Sequence, residues 1–198
     1  MKQKKKCLFS LLLALMMVAG LMQGMTVETK AATNSVQAGP FTLSRDSGTI
    51  VEGVDYTYGK YGSGNRNSLT ILTDDITIAM DENAEPTSDI IELGEFNNPP
   101  LDSFSKVTFS NLKMKSYYNN IYSNVDHIHI TLVGSNELIS IKEKSETYGG
   151  YAIFGHGSVT IENSPYGSLY ATGEGLGWGA ISVSEGYGKS DACITVGD

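Results

Sequence analysis

Apolar residues in this chain come in short alternating runs. Leu69 and Ile71 flank Thr70, and after Asp74-Asp75 the apolar Ile76, Ile78 and Met80 alternate with Thr77 and Ala79. The alternation returns at Val107 and Phe109, at Leu112 and Met114, at Ile128, Ile130 and Leu132, and at Val159 and Ile161. Further short apolar runs occur at Ile90-Ile91-Glu92-Leu93, Leu138-Ile139-Ser140-Ile141, Tyr151-Ala152-Ile153-Phe154, Leu169-Tyr170-Ala171, Ala180-Ile181-Ser182-Val183 and Cys193-Ile194-Thr195-Val196. A side-chain period of two is the signature of a strand with one buried face. After the first thirty residues no window of eleven keeps a 3.6-residue period, so the pattern predicts a nearly all-β chain. The acidic stretch 81–89 with Pro86, Asn97-Asn98-Pro99-Pro100, Gly134-Ser135-Asn136 and Gly155-His156-Gly157 read as loops and turns. Residues 32–68 form a lead-in broken repeatedly by Gly48, Gly53, Gly59, Gly62 and Gly64, with brief strands expected at Thr49-Ile50-Val51 and Tyr56-Thr57-Tyr58.

The runs repeat. Ile130 and Leu138 stand eight residues apart, as do Ile161 and Leu169, and the two pairs are displaced by 31. Tyr151-Ala152-Ile153 matches Gly179-Ala180-Ile181 at a displacement of 28, and Ile161 leads to Ile194 at 33. One unit thus holds three short strands in roughly thirty residues, a length typical of stacked repeats. A strand this short turns only two or three side chains inward and cannot bury them alone. Stacked coils solve this, because each covers the next. The chain also has no Asn-Gly or Asp-Gly dipeptide, the favoured signal of a two-residue hairpin. The reading is therefore a parallel β-helix of three to four coils over 69–198, preferred to a β-sandwich.

Residues 1–31 stand apart. Lys2, Lys4, Lys5 and Lys6 precede an apolar stretch from Leu8 to Leu21, and small residues follow, ending in Thr29-Lys30-Ala31-Ala32. This is the layout of a secretory signal peptide, with cleavage expected after Ala31. The apolar stretch is shorter than the ~20 residues that a membrane-spanning helix needs. A secreted, extracellular chain that does not span the membrane once cleaved is therefore expected. Cleavage removes five lysines and one glutamate, which moves the formal charge from −8 to −12. So acidic a surface argues against nucleic acid as a partner. It leaves Cys193 as the one cysteine, expected as a buried, inert thiol.

The segment Val125-Asp126-His127-Ile128-His129-Ile130-Thr131-Leu132-Val133-Gly134-Ser135-Asn136-Glu137-Leu138 resembles a recurring phrase of secreted right-handed parallel β-helix proteins of Gram-positive bacteria. So do Gly157-Ser158-Val159-Thr160-Ile161-Glu162 and Gly167-Ser168-Leu169-Tyr170-Ala171-Thr172-Gly173, while Gly175-Leu176-Gly177-Trp178-Gly179-Ala180-Ile181 resembles their glycine-rich return turn. The resemblance covers most of residues 50–198. It implies the right-handed β-helix and a cell-surface, adhesin-like or carbohydrate-binding role. Two expectations stay open at the C-terminal end, which follows a strand without a polar cap: an incomplete helix, or an end that pairs with something else.

Aromatic residues carry the argument for a ligand. Tyr117, Tyr118 and Tyr122 surround Asn119-Asn120, and Tyr151, Tyr170, Trp178 and Tyr187 fall at or near turns. Stacked coils would align such rings along one edge. Flat rings with polar handles cover the apolar faces of sugars while neighbouring amides and carboxylates bond the hydroxyls. Trp178, with glycine on both sides, is the first residue to test. Asp74, Asp75, Asp81 and Glu82 are hard oxygen donors suited to weak calcium binding at turns, and no other cofactor is implied. His127 and His129 share one strand face, which suits zinc but more simply gives two solvent-facing side chains. Gly155-His156-Gly157 resembles a motif of polygalacturonases, yet the carboxylate pair and basic groups that hydrolases and lyases need are not assembled by the spacing. The expected function is a non-catalytic, polysaccharide-binding β-helix. The alternatives are a structural or degenerate fragment of a larger adhesin, and a polysaccharide lyase or hydrolase. On export from a Gram-positive host the protein should lose residues 1–31, which intact-mass measurement of the secreted species will show.

Overall fold

The computed structural model describes residues 34–62, 65–94, 106–141, 150–162, 164–174, 179–184 and 193–197. All belong to the compact unit Thr33–Asp198. Every regular element among them is a strand. In chain order these are β1 (Ser35–Ala38), β2 (Phe41–Ser44), β3 (Tyr56–Lys60), β4 (Asn67–Ile71), β5 (Ile76–Ala79), β6 (Ile90–Leu93), β7 (Val107–Ser110) and β8 (Lys113–Ser116). They continue as β9 (Ile121–Ser123), β10 (His127–Ser140), β11 (Ile153–His156), β12 (Ser158–Ile161), β13 (Gly167–Gly173), β14 (Ile181–Ser184) and β15 (Ile194–Val196). No helix among the described residues is long and apolar enough to cross a membrane.

The strands form two sheets. The larger runs β1-β2-β5-β7-β10-β12-β15, with β8 and β13 also paired to β10, and the smaller runs β14-β11-β9-β6-β4-β3. From β4 to β15 the chain passes back and forth between the sheets, and the pairs among these strands are parallel and follow sequential order. That order is compatible with a solenoid, and it is not a sandwich of antiparallel sheets. Each parallel run contains five strands, where three to four coils were expected. The lead-in behaves differently: β1 pairs antiparallel with β2, β2 with β5, and β3 with β4. Thr49-Ile50-Val51 forms no strand, although Ile50 is buried. The β1–β2 hairpin turns at Gly39-Pro40, with Gly39 at φ 59. A positive φ at the first loop residue is what such a two-residue connection needs, and Gly-Pro meets it without Asn-Gly.

Parallel register converts the alternating sequence into continuous apolar columns. In the smaller sheet Leu69, Ile91, Ile121, Ile153 and Ile181 are successive partners. In the larger, Ile76, Val107, Ile130 and Ile161 line up, then Val196. The side chains of both columns up to Ile153 and Ile161 are buried. Leu169, Ile181 and Val183 are only half-buried, while Ile194 and Val196 are 42% and 65% exposed, against the expectation that all five lie in the core. No described strand lies beyond β13, β14 and β15 to cover them. Cys193, expected to be buried, is exposed for the same reason, and its thiol reaches Ser158 Oγ at 3.4 Å.

Two expected displacements shift. Leu138 pairs with Ala171 rather than Leu169, and Ile161 pairs with Val196 rather than Ile194. Both slips are of two residues, which keeps each side chain on its original face. Gly134-Ser135-Asn136 does not interrupt the strand. β10 runs through it, pairing with β7 and β12 in its first half and with β8 and β13 in its second. The bend is made by Gly134, at φ 64, where an added Cβ would collide with the Asn111 side chain. Beside it the buried Asn136 amide spends both ends: Oδ1 accepts the Leu112 N–H at 3.0 Å, and Nδ2 donates to the carbonyls of Val133 and Ser168 at 3.1 and 3.2 Å. It thereby fastens three neighbouring segments at one corner.

Ile130→Ala should cost ~2–5 kcal/mol, because the cavity opens between covered neighbours. Val196→Ala should change stability by less than about 0.5 kcal/mol, since that side chain is already mostly in solvent. Urea unfolding of the two variants against the parent measures the contrast.

Candidate functional site

Outward positions of the smaller sheet carry the most chemically varied surface. The β3–β4 hairpin sets Tyr61 beside Arg66, and the Tyr61 N–H donates to the Arg66 carbonyl at 3.0 Å. The link from β8 to β9 brings Tyr118 and Asn119 alongside, and β9 adds Tyr122. With Gly62 and Ile90 these residues line a cleft of about 450 Å³. The guanidinium carbon of Arg66 lies 4.0 Å from the Tyr118 ring centroid and 6.0 Å from that of Tyr61. At the first distance the cation sits on the ring face, where the quadrupole attracts it. Asn119 Oδ1 accepts the Tyr151 N–H at 2.8 Å and so ties the cleft wall to the segment that leads into β11. The Tyr61 phenol is pushed up chiefly by burial and then by the Glu92 charge, with Arg66 acting against them.

An aromatic stack continues from the cleft. Tyr122 and Phe154 are neighbours across β9 and β11, with ring centroids 5.5 Å apart and planes 25° apart. Phe154 and Tyr151 stack at 5.4 Å and 28°. These rings use much of their faces on each other. His156 closes the group. It is not an isolated turn histidine, as the sequence suggested, but the last residue of β11, half-buried, with Nε2 2.6 Å from the Tyr122 hydroxyl and Nδ1 2.8 Å from Ser184 Oγ. The phenol is the more acidic hydroxyl, so we assign Tyr122 O–H as donor to Nε2 and Nδ1–H as donor to Ser184. In that tautomer the serine accepts a proton bond and is not activated as a nucleophile. Gly157, at φ 114, follows at a point where a Cβ would strike the Asp126 backbone, which lets β11 pass directly into β12.

Of the seven predicted aromatics, the five that are described do not gather on one edge. Tyr118 and Tyr122 share the cleft, and Tyr151 joins Tyr122 through Phe154. Tyr117 is exposed but does not line the cleft. Tyr170 lies within β13, opposite Glu137, which itself faces Lys113 of β8, and so belongs to the other sheet. Trp178 and Tyr187 lie outside the described residues. Tyr61, Arg66 and Phe154 were missed. Phe154 was visible as the outward residue between Ile153 and Gly155, whereas Tyr61 and Arg66 meet only because β3 and β4 form a hairpin.

The acidic candidates separate. Asp74 and Asp75 precede β5 and Asp81 and Glu82 follow it, about 20 Å of extended chain apart. Asp81 accepts the Asn83 N–H at 2.8 Å, and the Glu82 carbonyl accepts from Lys113 Nζ. Asp74 and Asp75 line a polar cleft of about 590 Å³ with Arg45 and Lys106, basic groups that the spacing had not placed there. Arg45 is spent on the Asp55 carboxylate at 3.1 Å, on Thr73 Oγ1 and on the Asp74 carbonyl. His127 and His129 are exposed, and His129 Nδ1 stands 3.8 Å from Glu162. Among the described residues no three His, Cys, Asp or Glu side chains group in a way that could hold a metal ion. No family model matches the chain, and no curated protein or solved structure matches it either.

Burial holds His156 below its ordinary value of 6.5. The folded state therefore favours neutral imidazole, and below about pH 6.5 the unfolded chain takes up the proton more readily. Stability conferred by this group is present above that pH and is lost as pH falls through the lowered folded value. The melting temperature should drop between about pH 7 and pH 5, and His156→Gln should flatten that slope.

Proposed function

We propose that this is an exported, non-catalytic protein that binds polysaccharide outside the cell, with its two sheets closing into a right-handed parallel β-helix. The observation that carries the reading is the cleft of Tyr61, Tyr118 and Tyr122 opening onto the Tyr122–Phe154–Tyr151 stack. A groove with aromatic walls and a guanidinium and amide at hand offers a sugar ring apolar contact and hydroxyl partners together. Polysaccharides are extended, and a flat sheet face built of repeated strands offers them a surface of matching shape. The sequential parallel pairing and the secretory layout of residues 1–31 support the architecture and the location.

A non-catalytic role is supported by the same surface. The His156 hydrogen bonds orient Tyr122 and leave Ser184 unactivated, and Arg45 is committed beside Asp74. Among the described residues of this surface, no proton donor and nucleophile are placed across one bond, as glycoside cleavage demands.

Calorimetric titration against a panel of soluble polysaccharides tests the reading. Tyr118→Ala and Tyr122→Ala should each weaken binding about tenfold, equivalent to ~1.4 kcal/mol. Neither reducing ends nor unsaturated products should accumulate during long incubation. Binding unchanged in both variants would remove the cleft from the site, and no binding to any polysaccharide would favour a structural fragment of an adhesin.

A further inference from the structure

We infer that the aromatic cleft selects an acidic sugar unit, with Arg66 as the group that receives its carboxylate. The inference rests on the polysaccharide reading and narrows it to uronate-type polymers.

The charges around the cleft are unequally satisfied. Glu92 Oε2 accepts the Ser68 and Thr70 hydroxyls at 2.7 and 3.1 Å. Asp89 accepts the Tyr58 phenol at 2.6 Å and the Asn67 N–H at 3.3 Å. Both carboxylates are thus held by neutral donors. The guanidinium is not comparably engaged. Arg66 forms no ion pair among the described residues, and its Nη1 is buried without a hydrogen-bond partner. Leaving a buried donor unmade is costly, more so on a charged group. Lys60 sits opposite Asn67 on the same hairpin, so the hairpin end carries positive charge on a chain that is acidic elsewhere.

Arg66 is also presented in a fixed attitude. Its guanidinium carbon lies over the Tyr118 ring, 4.0 Å from the centroid, and the residue lines the cleft. A planar fork of donors matches a carboxylate, and stacking on an aromatic ring removes the entropy cost of ordering the long side chain. A sugar acid can meet this fork with its carboxylate while its ring lies against tyrosine. A neutral sugar fills the same walls and leaves the fork unmet. The overall negative charge supplies no long-range attraction for polyanions, so discrimination has to come from this contact.

The test compares oligogalacturonate with its fully methyl-esterified form, which keeps the backbone and removes the charge, by calorimetry in the presence of a chelator. The chelator excludes calcium bridging between carboxylates. Wild type should prefer the free acid about tenfold. Arg66→Gln should weaken binding of the free acid about tenfold more than that of the ester, which abolishes the preference, and Arg66→Lys should keep part of it. Tyr118→Ala should weaken both forms together. Equal binding of acid and ester by wild type would overturn the inference and leave the polysaccharide reading standing. Failure of folded wild type to bind either form, or any neutral oligosaccharide, would overturn both. Should Arg66→Gln fail to fold, the acid-to-ester ratio of wild type still decides the matter.

Discussion

A strand of four residues turns two side chains to one face, which is too little apolar surface to hold it in place. Everything in this molecule follows from how that deficit is met. Parallel neighbours in exact register put Leu69, Ile91, Ile121 and Ile153 into one buried column and Ile76, Val107, Ile130 and Ile161 into another. Each side chain is covered above and below by its counterparts, so burial is a property of the stack and of no single strand. At β14 and β15, beyond which no described strand lies, residues of the same type are half-exposed or exposed. The antiparallel strands at the other end show a second solution, in which the lead-in folds back to pair with β4 and β5.

Much of this was legible in the residues. A period of two identifies strands whatever they pair with, so β4, β5, β7, β10, β12 and β14 follow from the pattern. Parallel order was legible because Ile153 and Ile181 recur at the interval at which they pair. What escaped was set by backbone geometry that side-chain type reports poorly. Gly134 bends β10 without ending it, and Gly157 allows two strands to abut where the sequence shows a glycine-flanked histidine. The slips at Ala171 and Val196 escaped too, since an apolar residue two places away satisfies the same alternation. Burial at the last strands was misjudged because a sequence shows which way a residue faces and not whether anything lies on top of it.

The site was legible only in part, and for a related reason. Tyrosines at turns announce a surface able to take a ligand, but which of them meet depends on which sheet each turn joins. Tyr118 and Tyr122 meet because one leads into β9 and the other lies within it. Tyr170, equally prominent in the sequence, belongs to β13 and looks out from the other sheet. Arg66 and Tyr61 come from the lead-in, which would pass for a mere cap, and the hairpin swings them onto a wall built by residues more than fifty positions later. His156 shows the converse. Its chemistry looked suggestive beside two glycines, and its surroundings turn it into a support for Tyr122.

Paired residues in the smaller sheet are unevenly spaced along the chain: Leu69 to Ile91 is 22 positions, Ile91 to Ile121 is 30, and Ile121 to Ile153 is 32. The columns stay aligned although the intervals between their members differ. Scaffold and surface are consequently inherited on separate terms. A connecting segment can change length or acquire a new recognition residue while the paired columns keep their register. What has to persist through descent is a scatter of apolar pairs, each only a few positions long. Such a lineage can explore new ligands freely while keeping almost no contiguous text by which its kinship would be read.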